Sequence, residues 1–302
     1  MKTVGIPRGL LYYYYDTLWK AFFDCLQVPY IISKKSNLNL LKKGQEKAVD
    51  EACLALKLYL GHIEDIKDQC DYILIPRIFS LEKQEQVCTN FNCLYDLIHT
   101  LYPNIQILNY NIDVKRHHYE KNAFLKLGKE LGFSLLESNR AYQLAKEIEQ
   151  NHQKQLAKRG QEKLNSTKTK ILLVGHPYNI HDALIGQRII TYLQQQNIEI
   201  IYSYEISPEL VDIYIQKISP KVHWTPSKTL LAAFAYYKDK VDGTIIISSF
   251  PCGPDSLTNE MMLRKRQQAK VLLLTFEDVN SDVAIITRLE SFLDMLKGGI
   301  HL

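Results

Sequence analysis

Cysteines placed where strands end and helices begin are the side chains of this chain best suited to chemistry. Of the six cysteines in the 302-residue sequence, Cys53, Cys88 and Cys252 fall at such positions. Cys252 has the plainest setting. The run Ile245-Ile246-Ile247-Ser248-Ser249-Phe250-Pro251-Cys252-Gly253-Pro254-Asp255-Ser256 opens apolar and β-branched and closes on Gly and Pro, which predicts a buried strand ending in a sharp turn. Asp255 or Ser256 is expected to cap the following helix, whose apolar positions are Leu257, Met261, Met262 and Leu263. Ligands of open α/β sheets bind at the carboxyl edge of the strands, and the N–H groups and dipole of a helix N-terminus favour a thiolate there. The competing reading of each cysteine is a small hydrophobe packed in the core.

Three scattered thiolates can hold a cubane iron–sulfur cluster by three corners and leave the fourth iron open. No Cys-x-x-Cys is present, which argues against a zinc ribbon, a thioredoxin or a bacterial ferredoxin. The sequence also lacks a Walker phosphate loop, a Gly-x-Gly-x-x-Gly and a His-Glu-x-x-His. Cys25, on an apolar helix face, and Cys70, just before a strand, read as structural. Cys93 is the rival of Cys88. His176, in a loop at a strand end, is a candidate for proton transfer or for a hydrogen bond to sulfur, or is simply a satisfied loop histidine. Arg8 and Arg77 each follow an N-terminal strand and suit either an anionic ligand or an ion pair.

The elements that position these residues follow from hydrophobic periodicity. Strands are expected at residues 2–6, 28–32, 72–75, 105–108, 171–174, 199–202, 245–249 and 271–274, alternating with helices. Tyr15, Trp19, Phe22 and Leu26 mark the apolar face of the first helix, and the Tyr12–Tyr15 run reads mostly as packing. Residues 38–44 read as a connector. A helix starting near Val49 carries Cys53 in its first part, with acids early. Thr287-Arg288-Leu289-Glu290 reads as a capping box. The alternation predicts an α/β fold of two Rossmann-like, doubly wound lobes with mostly parallel sheets, at residues 1–110 and 169–302, joined by a polar helical connector at 111–168.

Composition narrows the class. A hydrophobic fraction of 46% and a charged fraction of 23% are those of a globular protein. No apolar run is long enough to span a membrane, and the N-terminus lacks the apolar core of a signal peptide. A cytoplasmic protein with reduced cysteines is therefore expected. A net charge of +4 gives no concentrated basic face for nucleic acid.

Motifs in order along the chain carry a family resemblance. They are Gly5-Ile6-Pro7-Arg8-Gly9-Leu10-Leu11 with the tyrosines after it, Leu18-Trp19, Val49-Asp50-Glu51-Ala52-Cys53, Ile75-Pro76-Arg77, Cys88 with Phe91, Gly175-His176-Pro177-Tyr178-Asn179, Phe250 to Ser256, and Thr287 to Glu290 with Phe292 and Asp294. The chain resembles the 2-hydroxyacyl-CoA dehydratase-related family, in particular the domain of unknown function fused to or found beside the acyl-CoA dehydratase activase. The resemblance implies an iron–sulfur cluster, 4Fe-4S or half of a double-cubane, held by Cys53, Cys88 and Cys252, with Phe91 favouring Cys88 over Cys93. It implies an ATP-dependent activase as electron donor, a related second subunit or a homodimer, and a CoA thioester or small molecule as substrate. Pro251, Thr89, Ala55 and the pair Glu277-Asp278 depart from the family pattern. Two further readings remain: a non-catalytic accessory subunit that binds the activase or a CoA-linked ligand, and a thiol enzyme using Cys252.

Overall fold

Short apolar strands and the glycine- or proline-marked loops after them set the architecture. The computed structural model describes residues 2–219, 221–277, 279 and 282–298. Asp278 therefore lies outside the described residues. The chain divides into two units, Met1–His152 with His223–Thr225, and Gln153–Val222 with Pro226–Leu302.

The first unit contains β1 (Val4–Ile6), α1 (Tyr12–Cys25), β2 (Tyr30–Ile32), α2 (Leu38–Gln45), α3 (Leu54–Ile66), β3 (Tyr72–Leu74), β4 (Arg77–Ser80), α4 (Thr89–Asn92), α5 (Leu94–Leu101), β5 (Ile107–Leu108), β6 (Asn111–Asp113) and α6 (Glu120–Glu130). Helix α7 (Leu135–Leu164) follows, and the division between the units falls within it. The main sheet has the order β2-β1-β3-β5 with parallel pairing throughout. The chain moves from β1 to β2 in one direction and then back across β1 to β3. Right-handed crossovers therefore send α1 to one face and α3 to the other. Leu18, Trp19, Phe22 and Phe23 of α1 are buried, and the Trp19 indole N–H donates to the Tyr110 hydroxyl at 2.8 Å.

The second unit contains β7 (Lys170–Val174), α8 (Pro177–Ile180), α9 (Gly186–Gln195), β8 (Glu199–Tyr202), α10 (Pro208–Ile215), α11 (Thr225–Tyr237), β9 (Gly243–Ser249), α12 (Gly253–Arg264), β10 (Val271–Phe276) and α13 (Val283–Leu296). Its sheet runs β10-β9-β7-β8, again all parallel. Numbered from its own first strand, each main sheet has the order 2-1-3-4. Both are doubly wound, Rossmann-like sheets with a topological switch point, between β1 and β3 in one and between β7 and β9 in the other.

Several local expectations change. Residues 38–45 are helical because the Asn37 side chain caps the first turn, accepting from the Leu40 N–H at 3.0 Å, and Leu40, Leu41 and Gly44 are buried. The helix after residue 49 starts later than expected, so Asp50 and Glu51 lie before it and Cys53 is its N-cap. Strands β4 and β6 form a separate two-stranded parallel sheet that short, mixed-polarity sequence does not announce. The polar segment after residue 111 is more than a surface bridge: Phe124 and Leu127 of α6 are fully buried, and Phe124 packs edge-on to Phe22 at 5.0 Å. Thr287 is no cap, since α13 already begins at Val283 and the Thr287 hydroxyl donates to the Val283 carbonyl at 3.0 Å.

Candidate functional site

In the first unit the switch point is flanked by the segments after β1 and β3, which carry Arg8 in a loop and Arg77 as the first residue of β4. Neither guanidinium stands idle. Arg8 donates from Nε to the Ser33 carbonyl at 3.1 Å and lies over the Tyr12 ring. Arg77 pairs with Asp96 and stacks on Tyr95, while its Nε is buried without a hydrogen-bond partner. Beneath Arg8, the buried His62 ring bridges the Ser33 and Ser36 hydroxyls at 2.9 and 3.1 Å. Burial, helped by the Arg8 charge, pushes its pKa down to about 3, so the ring is neutral and structural.

Cys53 and Cys88 occupy equivalent local settings. Each is an N-cap residue with extended backbone, Cys53 for α3 and Cys88 for α4, and neither thiol caps its own helix. Helix α3 returns from the carboxyl edge of the sheet, which puts its N-terminus, and Cys53, at that edge. The Asn90 side-chain amide, in the first turn after Cys88, donates to the Cys53 sulfur at 3.5 Å. That contact ties the two cysteine-bearing segments together. The loop before Cys88 is held by backbone pairing of Gln86 with His223 and Thr225, at 2.9 and 3.0 Å. This return of residues 223–225 to the first unit has no signature in the sequence.

In the second unit Cys252 is itself the N-cap of α12, so neither Asp255 nor Ser256 caps the helix as expected. The Ser256 hydroxyl donates instead to the Cys252 carbonyl at 2.8 Å. Asp255, in the first turn of α12, is drawn away by His176, which follows β7. The His176 Nε2 lies 2.8 Å from the Asp255 Oδ1, and both side chains are 5% exposed. Tyr178 stacks on the imidazole at 5.0 Å. The second carboxylate oxygen of Asp255 is buried without a hydrogen-bond partner, as is the amide nitrogen of Asn179, whose oxygen accepts from the Ser249 hydroxyl at 2.6 Å. Gly175 permits this crowding, because a Cβ there would meet the Ile247 carbonyl oxygen at 2.8 Å. The sequence points to His176 but not to its pairing with Asp255, which is expected there, as an alternative to Ser256, to cap α12. The signal available was the shared strand-end position of the two residues.

The other cysteines include a fourth N-cap, Cys93 of α5. Cys25 ends α1 and is exposed, not part of the core as its helix face suggested. Cys70 is half-buried, donates to the Ile66 carbonyl, and has its pKa pushed up to about 11 by burial. Cys93 is exposed at the start of α5. Among the described residues no three of His, Cys, Asp and Glu are grouped so as to hold a metal ion. The donor chemistry of Cys53, Cys88 and Cys252, three thiols, is of the soft type that an iron–sulfur group takes. Among the described residues no helix is long and apolar enough to cross a membrane.

No curated protein matches the chain. Among solved structures, the SBP FpvC from Pseudomonas aeruginosa in complex with Mn2+ is similar over 98% of this chain and 97% of that chain, with 12% sequence identity and a TM-score of 0.30, a likeness too low to carry argument. The family described as the CoA enzyme activase uncharacterised domain matches residues 3–206, a span that includes Arg8, Cys53, Arg77, Cys88 and His176 and stops short of Cys252. The chain belongs to that family.

Proposed function

We propose that this is an iron–sulfur protein that accepts low-potential electrons from an ATP-dependent activase and delivers them, in reductive or radical chemistry, to a CoA-linked or small-molecule substrate or to a partner subunit. Cys53, Cys88 and Cys252 would hold the cluster, which when bound supplies one-electron transfer at low potential. The observation that carries the reading is that all three are N-caps of helices, in a chain whose family is named for the CoA enzyme activase. The N-termini of α3 and α12 would offset the negative charge of the Cys53 and Cys252 thiolates.

His176 is the side chain suited to hold or release a proton beside this chemistry. Asp255 orients the ring through its 2.8 Å contact with Nε2, as a carboxylate does for an imidazole in acid–base catalysis. Arg8 and Arg77, beside the switch point, are the cations suited to an anionic group of the substrate. A cytoplasmic setting, with reduced thiols, belongs to the same proposal.

The test is electron paramagnetic resonance on anaerobically purified protein mixed with an activase, ATP and a low-potential reductant. A reduced-cluster signal that appears only with ATP and activase, beyond the activase's own, is expected. Absence of any such signal in iron-loaded protein would reject electron acceptance and leave the accessory-subunit reading.

A further inference from the structure

A pocket of about 210 Å³ opens on the second unit at the carboxyl ends of β9 and β10, against α12, with Cys252 in its wall. It is open to solvent and has room for a short-chain molecule. Three apolar side chains, Phe250, Leu263 and Leu273, supply one side of the lining.

The polar side is biased toward hydrogen-bond acceptors. Ser249 and Ser256 both line the pocket, but their hydroxyl protons are donated elsewhere, to the Asn179 side chain at 2.6 Å and the Cys252 carbonyl at 2.8 Å. What these two hydroxyls can still offer a ligand is lone pairs. Ser248 accepts from the Asn259 amide and shares a hydrogen bond with Thr275, both at 3.2 Å, which fixes the floor. Glu260 is the one charged residue among the described residues lining the pocket. Its Oε1 pairs with Arg264 at 2.7 Å on an exposed surface, where such a pair is weak, and the carboxylate retains further acceptor sites. Arg264 balances part of the Glu260 charge, so the preference for a cation rests on the carboxylate oxygen that Arg264 leaves open and on the serine lone pairs, not on net charge.

We propose that this pocket binds a short-chain primary ammonium, its N–H donors directed to Glu260, Ser249 and Ser256 and its chain against Phe250, Leu263 and Leu273. The inference goes beyond the electron-transfer reading and shares Cys252 with it; its readout is ligand binding and not iron or electron transfer, so failure of one is distinguishable from failure of the other.

The probes are n-butylammonium, butyramide and butyrate, with binding to the full-length chain followed by saturation-transfer NMR and isothermal titration. n-Butylammonium is expected to bind at least five-fold more tightly than butyramide, and butyrate not measurably. Glu260→Gln, at an exposed position, should weaken n-butylammonium at least five-fold, and Leu263→Trp, which fills the pocket, should abolish its binding. Butyrate or butyramide binding as well as the ammonium, no ammonium binding to the wild type, or ammonium binding unchanged in Glu260→Gln would overturn the proposal.

Discussion

His62 shows how a conspicuous side chain is decided by its surroundings. A lone histidine on a helix invites a functional role, yet this one is fully buried between two serine hydroxyls and held neutral. Its folded pKa of about 3 lies below the unfolded value near 6.5. Between those values the unfolded chain binds the proton and the folded chain does not, so the stability His62 contributes is present above pH 6.5 and is lost as pH falls toward 3. At pH 5 the loss relative to neutral pH amounts to about 2 kcal/mol. Denaturant unfolding at pH 7.5 and 5.0 should show that increment in the wild type and not in His62→Asn; an equal pH dependence in both would contradict the assignment. His176 is buried as well, but its partner is a carboxylate, Asp255, whose second oxygen is buried without a hydrogen bond.

At the scale of elements, the cysteines depend on helix starts, and helix starts depend on packing that sequence shows only in part. Helix α2 lies so close to α3 that a Cβ on Gly44 would run into the Lys57 carbonyl oxygen, and one on Gly61 into that of Leu40. These contacts fix the helix that begins after Cys53. Gly44→Ala is therefore expected to destabilise the protein by about 1–3 kcal/mol, which lowers Tm by several degrees. Gly253→Ala, where a Cβ meets nothing within 4 Å, should change stability by less than about 0.5 kcal/mol. Calorimetry on the two variants checks the contrast, and a Gly44→Ala protein as stable as wild type would refute close packing of α2 on α3. The sequence pattern of residues 38–44 was too short and too mixed to declare a helix. Asn37 was the visible sign.

For the whole molecule, the alternation of apolar strands with amphipathic helices made the α/β class and the parallel sheets legible. Each strand of the second sheet carries a bounded apolar run, so β7, β8, β9 and β10 could be read directly. Strands β4 and β6, the return of residues 223–225 and the Cys53–Asn90 contact could not be, because each depends on residues distant in sequence meeting in the fold. The cysteines stood out because three share a local position. Their N-cap geometry needed coordinates, since a cysteine is not a usual cap.

The central claim, that Cys53, Cys88 and Cys252 hold an iron–sulfur cluster, is tested most directly by iron and acid-labile sulfide per chain in protein purified without oxygen. Stoichiometric iron and sulfide are predicted in the wild type and in Cys25→Ala and Cys70→Ala, with at least a several-fold loss in Cys53→Ala, Cys88→Ala and Cys252→Ala. Iron absent from the wild type after anaerobic reconstitution, or equal in all five variants, would contradict it.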